Sequence, residues 1–232
     1  MLERLAEAIS GKASMVAVGL NWTLVEGPDA VGLAHSPEKG TSGCYDLKGA
    51  GQQRGKSLAE LASGIQSENP FDRALALASM NAHFNLPDID GTIGNGLDLL
   101  NNDENLNTVA IGRFPNIDIR FPNVKVIEKN PGHNDYPTSK AAQLLTTANQ
   151  VIISASALLS KEIVDYLNAA SNAKVMIIGP STPMTSELFE NGISILAGFI
   201  VTDPSLAIDV IVQGGSINQL RKCGRNICIH YA

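Results

Sequence analysis

An α/β fold with a mainly parallel sheet, preceded by a smaller α+β domain, is what this chain of 232 residues predicts. Three observations carry the prediction. From Thr108 onward, short apolar runs alternate with helical segments, the pattern of βαβ units. Upstream, two apolar strands joined by a tight turn are followed by two helices, which suits an antiparallel hairpin with helices laid on it. Between these patterns, residues 85–107 (NLPDIDGTIGNGLDLLNNDENLN) are rich in Asn, Asp and Gly, the composition of turns and linkers. The expected domains are 1–95 and 96–232.

In the first domain, residues 1–11 place Leu2, Leu5, Ala6 and Ile9 at helical spacing with acids interleaved, an amphipathic helix rather than a signal peptide. Residues 15–26 and 30–35 read as the hairpin, turning at Gly27, Pro28 and Asp29. Residues 36–57 are polar and glycine-rich, either a functional lid or a mobile connection. Helices are expected over 58–65 and 70–84, the second with an apolar stripe of Phe71, Leu75, Ala78 and Ala82. Asn81 adjoins that stripe. A carboxamide there must find partners, so it is either a tie to a neighbouring loop or a side chain aimed into an interdomain cleft.

In the second domain, strands are expected at 108–111, 124–128, 150–154, 174–178, 196–201 and 227–231. Helices are expected at 139–148, 161–170, 183–190, 204–213 and 217–223, giving a Rossmann-like sheet. Only residues 112–123, with Pro115 and Pro122 among them, separate the first two strands, so the first crossover is irregular. The run VMIIGPSTPM, residues 175–184, reads as a buried strand entering a polar turn, with Thr182 as N-cap and Pro183 as first helical residue. Ligands in open α/β sheets settle beyond the carboxyl ends of strands. Gly179, Pro180, Ser181 and Thr182 are therefore expected to hold a ligand through backbone donors.

A net charge of -6 with no basic patch argues against nucleic-acid or anionic-membrane partners. No apolar run approaches the roughly 20 residues of a membrane span, so a soluble, cytoplasmic protein is expected. Three sparse cysteines, Cys44, Cys223 and Cys228, point to reduced thiols, and Cys228 with His230 in a terminal strand reads as packing rather than a zinc site. No metal ligands are assigned.

The residues with chemistry gather at strand ends. The first parallel strand runs into Gly112, Arg113 and Phe114 without the Gly-x-Gly-x-x-Gly fingerprint, which disfavours ordinary NAD or FAD binding. Glu128 lies 16 residues after Gly112, near the offset of about 20 at which a ribose-binding acid sits. The loop PGHNDYP offers His133 and Asp135 as acid–base groups, or only as turn residues bonding their own backbone. Ser154 follows the third strand and is either a ligand contact or a helix cap. Glu128, His133 and Asp135 are the proton-transfer candidates. Asn81, Gly112, Arg113, Phe114, Ser154 and Gly179 to Thr182 are the ligand contacts.

Several stretches, TVAIGRFP, VIEKNPGHNDYP, VIISASALLSKEI, VMIIGPSTPMTSELFENGISILAGFIVTDP, GLNWT and ALASMNA, resemble a heavy-metal chelation family of unknown function. The resemblance covers most of the chain. It implies a first domain similar to the N-terminal domain of enolases and a Rossmann-like three-layer αβα second domain with partial likeness to methyltransferases. It further implies an interdomain active site, and a role in heavy-metal chelation or in condensing or hydrolysing pterin-, flavin- or siderophore-like compounds. The cofactor is left unknown, and the expected partner is a small-molecule ligand or metal chelate. A non-catalytic chelate-binding module and an S-adenosylmethionine-dependent methyltransferase-like enzyme are the alternatives. A homodimer is among the assemblies the chain could form.

Overall fold

The computed structural model describes residues 1–37 and 46–231. In the first part the chain runs α1 (Leu2–Ala8), β1 (Met15–Val18), β2 (Trp22–Glu26), β3 (Val31–His35), α2 (Leu58–Ala62) and α3 (Pro70–Phe84). It continues through β4 (Thr92–Ile93), β5 (Thr108–Ile111), α4 (Ile117–Arg120), β6 (Lys125–Glu128), β7 (Tyr136–Pro137), α5 (Ala141–Leu145) and β8 (Gln150–Ser154). It ends with α6 (Ile163–Ala169), β9 (Lys174–Ile178), β10 (Ile193–Val201), α7 (Pro204–Val212), α8 (Ile217–Leu220) and β11 (Gly224–His230). The first three strands form an antiparallel sheet, and the remaining eight form a second sheet in the order β4-β11-β10-β9-β8-β5-β6-β7. Within it only the pairings of β11, with β10 and with β4, are antiparallel. This is the expected mixed α/β class with a mostly parallel sheet. Among the described residues, no helix is long and apolar enough to cross a membrane.

The central strands are short runs of β-branched and aliphatic residues because both of their faces are covered. Val109, Ile111, Val151, Ile153, Val175 and Ile177 face α5, α6 and the small domain in one continuous core. Ala110, Val126, Ile152 and Met176 face the opposite way, under Leu97, Leu100, Ile117 and Phe121. The small sheet is likewise covered twice. Val25 and Ala34 join the core that holds α3, whereas Trp22, Leu24 and Leu33 pack against Phe199, Val201, Ala207 and Ile211 of the large domain.

Helix α3 begins as its sequence dictates, with Asn69 accepting from the Phe71 amide at 2.9 Å and Pro70 in the first turn. Every residue from Ala74 to Ala82 is buried, so the helix is enclosed on all sides rather than along the expected stripe. The wedge of α3 between the small sheet and the large domain explains this. It lies so close to β3 that a Cβ at Gly32 would come within 2.0 Å of the Ala78 carbonyl oxygen and 2.2 Å of the Ala82 nitrogen.

Four expectations are corrected. Residues 15–26 are two strands, because Gly19 N donates to Trp22 O and the Asn21 amide donates to Gly214 O and Gly215 O of the large domain, turning the run at 19–21. The helix expected over 183–190 is a 3-10 helix at Ser186–Asn191 capped by Thr185, not Thr182. Strands β4 and β7 were not anticipated, since two-residue strands carry no periodicity. The helix expected over 58–65 is α2 followed by a 3-10 turn at Ser63–Gln66. The irregular first crossover is present, as the single turn α4. Of the expected loop at 36–57, residues 38–45 and with them Cys44 lie outside the described residues. Cys223 and Cys228 are free and buried, and burial pushes both thiols up.

Candidate ligand cleft

From β5 the chain steps outward to β6 and β7, whereas β8, β9 and β10 follow on the other side of β5. The order therefore reverses between β5 and β8, and the carboxyl ends of those strands diverge into the crevice where open α/β sheets bind ligands. Gly112 leaves β5 at φ +90°, and a Cβ there would stand 2.8 Å from the Ser154 Cβ. Glycine is needed on both counts.

A cleft of about 720 Å³ opens at this point, within the range of roughly 300–1,000 Å³ typical of small-molecule sites. Its floor is Ile111, Gly112 and Arg113 at the end of β5, Ile127 to Asn130 at the end of β6, and Ser154 and Ser156 at the end of β8. The small domain supplies the facing wall through His35, Ser36, Pro37, Pro70 and Arg73. The cleft is thus interdomain.

Its polar groups are partly committed already. Glu128 Oε1 accepts from the Arg113 amide at 2.6 Å. The Arg113 guanidinium donates to Asp118 at 2.6 Å and forks onto Asp135, whose other oxygen accepts from Gly132 N at 3.0 Å. Arg113 holds the Asp135 carboxyl below the usual carboxylate range. Asp135 is consequently an anionic latch for the loop after β6, not a proton donor near neutrality. Ser154 and Ser156 share a hydrogen bond at 2.9 Å, and among the described residues neither bonds a histidine or carboxylate that would activate it.

A depressed carboxyl stabilises its surroundings above the ordinary carboxylate range, and the contribution disappears as pH falls through the lowered value. Asp135→Asn should therefore speed hydrogen exchange at the Gly132 and Asp135 amides at neutral pH. In the parent protein the same acceleration should come only on acidification below about pH 4, the ordinary aspartate value. Unchanged exchange in Asp135→Asn would count against the latch.

Of the residues singled out in the sequence, the cleft gathers Gly112, Arg113, Glu128, Asp135 and Ser154. The others lie elsewhere. His133 is exposed on its loop and does not line the cleft, because Asp135 turns inward to Arg113 while the preceding residues face solvent. Phe114 packs with Leu97 and Ile117 on the far face of the sheet. The turn of Gly179, Pro180, Ser181 and Thr182 does not reach the cleft either. Gly179 N donates to Ala197 O at 2.9 Å, Thr182 Oγ1 donates to Gly179 O at 2.8 Å, and Ser181 Oγ accepts from His35 N at 2.9 Å. Asn81 is fully buried and does not line the cleft; its amide ties β3 to the turn after β9, donating to Leu33 O at 2.7 Å and Ser181 O at 3.0 Å. These groups join the domains, and Asn81 Oδ1 is left buried without a hydrogen-bond partner among the described residues.

Sequence reasoning passed over His35, Arg73, Ser160 and Tyr166, all of which line the cleft. His35 carried a faint signal as the polar end of an apolar strand; its ring stands edge-on to Trp22 at 5.5 Å. Arg73 looked like an ordinary charge in a helix's first turn.

Fold and cleft together define a two-domain α/β protein with a small-molecule-sized crevice at its strand-order reversal. Residues 95–229 match the DUF364 family and residues 3–84 the DUF4213 family, both described as "Putative heavy-metal chelation", and the chain belongs to that family. Its fold is similar to that of a protein with unknown function of the DUF364 family from Desulfitobacterium hafniense DCB-2. The TM-score is 0.90 at 20% identity, over 99% of this chain and 97% of that one. It is also similar to a DUF364-family protein with unknown function from Pyrococcus horikoshii, with TM-score 0.82 and 24% identity over 99% and 96% of the two chains. No curated protein matches the sequence.

Proposed function

We propose that this protein binds a small chelating or heteroaromatic molecule in the interdomain cleft, and that any heavy metal enters as that molecule's complex. The observation that carries the reading is the cleft itself, some 720 Å³ at the β5/β8 reversal with walls from both domains. Among the described residues, no three His, Cys, Asp or Glu side chains are grouped to hold a metal ion. In the cleft Asp135 is tied to Arg113, and the buried thiols of Cys223 and Cys228 resist the deprotonation that metal binding needs. A chelate that brings its own ligands fits this donor set better than a bare ion.

Glu128 is the residue assigned to the ligand. One oxygen fixes the Arg113 amide, and the other is left to accept from a ligand hydroxyl or ring N–H at the strand end. If turnover occurs, this carboxylate is the group positioned to move a proton.

Titration with pterin, riboflavin and ferric catecholate tests the reading. At least one should bind and raise the melting temperature, and Glu128→Ala should weaken it by about 10- to 100-fold, as expected for a charge-assisted hydrogen bond of about 1.5–3 kcal/mol. Failure of all three with the parent protein would remove the proposal. Stabilisation by S-adenosylmethionine instead would favour the methyltransferase-like alternative.

A further inference from the structure

Arg73 sits in the first turn of α3 and lines the cleft beside Pro70. A second, smaller cavity of about 280 Å³ lies behind it, under Met1, Leu2, Ile65 and Ile163. Arg73, Leu159 and Ser160 line both spaces and form the partition between them. Two polar atoms of this partition are buried without a hydrogen-bond partner, Arg73 Nε and Ser160 Oγ. The guanidinium is otherwise held, among the described residues, by Nη1 donating to Ser67 O at 3.2 Å. Among the described residues Arg73 enters no ion pair, and Glu68, whose carboxyl feels the Arg73 charge, is bonded to Lys161.

The contrast with Arg113 is informative. That guanidinium faces the same cleft with its charge met by Asp118 and Asp135. Among the described residues Arg73 has no such partner, and a buried donor left unsatisfied is costly. Resting on the cleft reading above, we propose that the cleft's ligand is an acid, and that its carboxylate docks at the partition, accepting from the Arg73 guanidinium and drawing the Ser160 hydroxyl toward it. A carboxylate has the two oxygens such a pair of donors requires. It would also sit beside the N-terminal turn of a 15-residue helix, whose dipole favours negative charge.

The test compares two probes that differ only in the carboxylate, ferric 3,4-dihydroxybenzoate and ferric catecholate, by calorimetric titration of the whole protein. The acid should bind the parent about 10-fold tighter or more, the ratio expected of a charge-assisted pair. Arg73→Gln should erase that preference while leaving catecholate binding unchanged, and Arg73→Lys should restore part of it. Should Arg73→Gln fail to fold, Ser160→Ala carries the test, with a loss confined to the acid. Equal binding of the two probes to the parent, or a preference that survives Arg73→Gln and Ser160→Ala, overturns the carboxylate site and leaves the cleft reading standing. Binding of neither probe overturns the carboxylate site; the cleft reading falls with it only if pterin and riboflavin fail as well.

Discussion

Replacing Gly32 with alanine should force α3 off β3 inside the small domain and destabilise the protein. The added Cβ would stand 2.0 Å from Ala78 O, 2.2 Å from Ala82 N and 2.6 Å from the Asn81 carbonyl carbon, all backbone atoms of α3. No rotamer change relieves a clash between two backbones, so the helix must move away from β3. The cost belongs at or above the top of the range of about 1–3 kcal/mol for overpacking a core. For a protein of this size that corresponds to a melting temperature lower by roughly 6–12 °C. The consequence reaches the cleft, because the same helix carries Pro70 and Arg73 to its wall and Asn81 and Asn85 to the domain junction. Thermal unfolding followed by circular dichroism checks it. A variant as stable as the parent would mean that α3 does not lie on β3 as described.

Asn85→Ala should cost nearly as much through a different mechanism. The Asn85 side chain, 2% exposed, donates to Thr182 O at 3.0 Å and accepts from Met184 N at 2.9 Å. It clamps both ends of the turn after β9 to the C-terminus of α3. Removing it strands a buried carbonyl and a buried amide, each worth about 1–3 kcal/mol when left without a partner. The expected loss is about 2–5 kcal/mol in urea unfolding, with the slope unchanged if both domains still unfold together. A loss under about 0.5 kcal/mol, the size of an ordinary surface substitution, would contradict the clamp.

The parts of the fold legible from the chain were those with strong local signals. The strands β5, β8 and β9 lie where the apolar runs put them, and α3 spans 70–84 because Asn69 and Pro70 start it and its apolar run sustains it. The short crossover between β5 and β6 followed from two prolines and too few residues. Less legible were features that exist only through long-range contacts. The turn at 19–21 is held by Asn21 reaching Gly214 and Gly215, and β4 owes its existence to pairing with β11. In the cleft, Gly112, Arg113, Glu128 and Ser154 could be named because they end predicted parallel strands.

The run VMIIGPSTPM marks the division most clearly. Its composition alone made it a buried strand entering a polar turn, and β9 with the turn at 179–182 is that. Whether those polar groups would face a ligand or another part of the chain depended on what packed beyond the strand end. Helix α3 and β3 arrive there, and Asn81, Asn85 and the His35 amide take up the turn's hydrogen-bonding groups. The open crevice therefore lies to one side, above the neighbouring β8 and β5 beyond it, with Arg73 on its wall. A polar turn has the same hydrogen-bonding groups in either role, and only the partner that tertiary packing brings to it decides which role it fills.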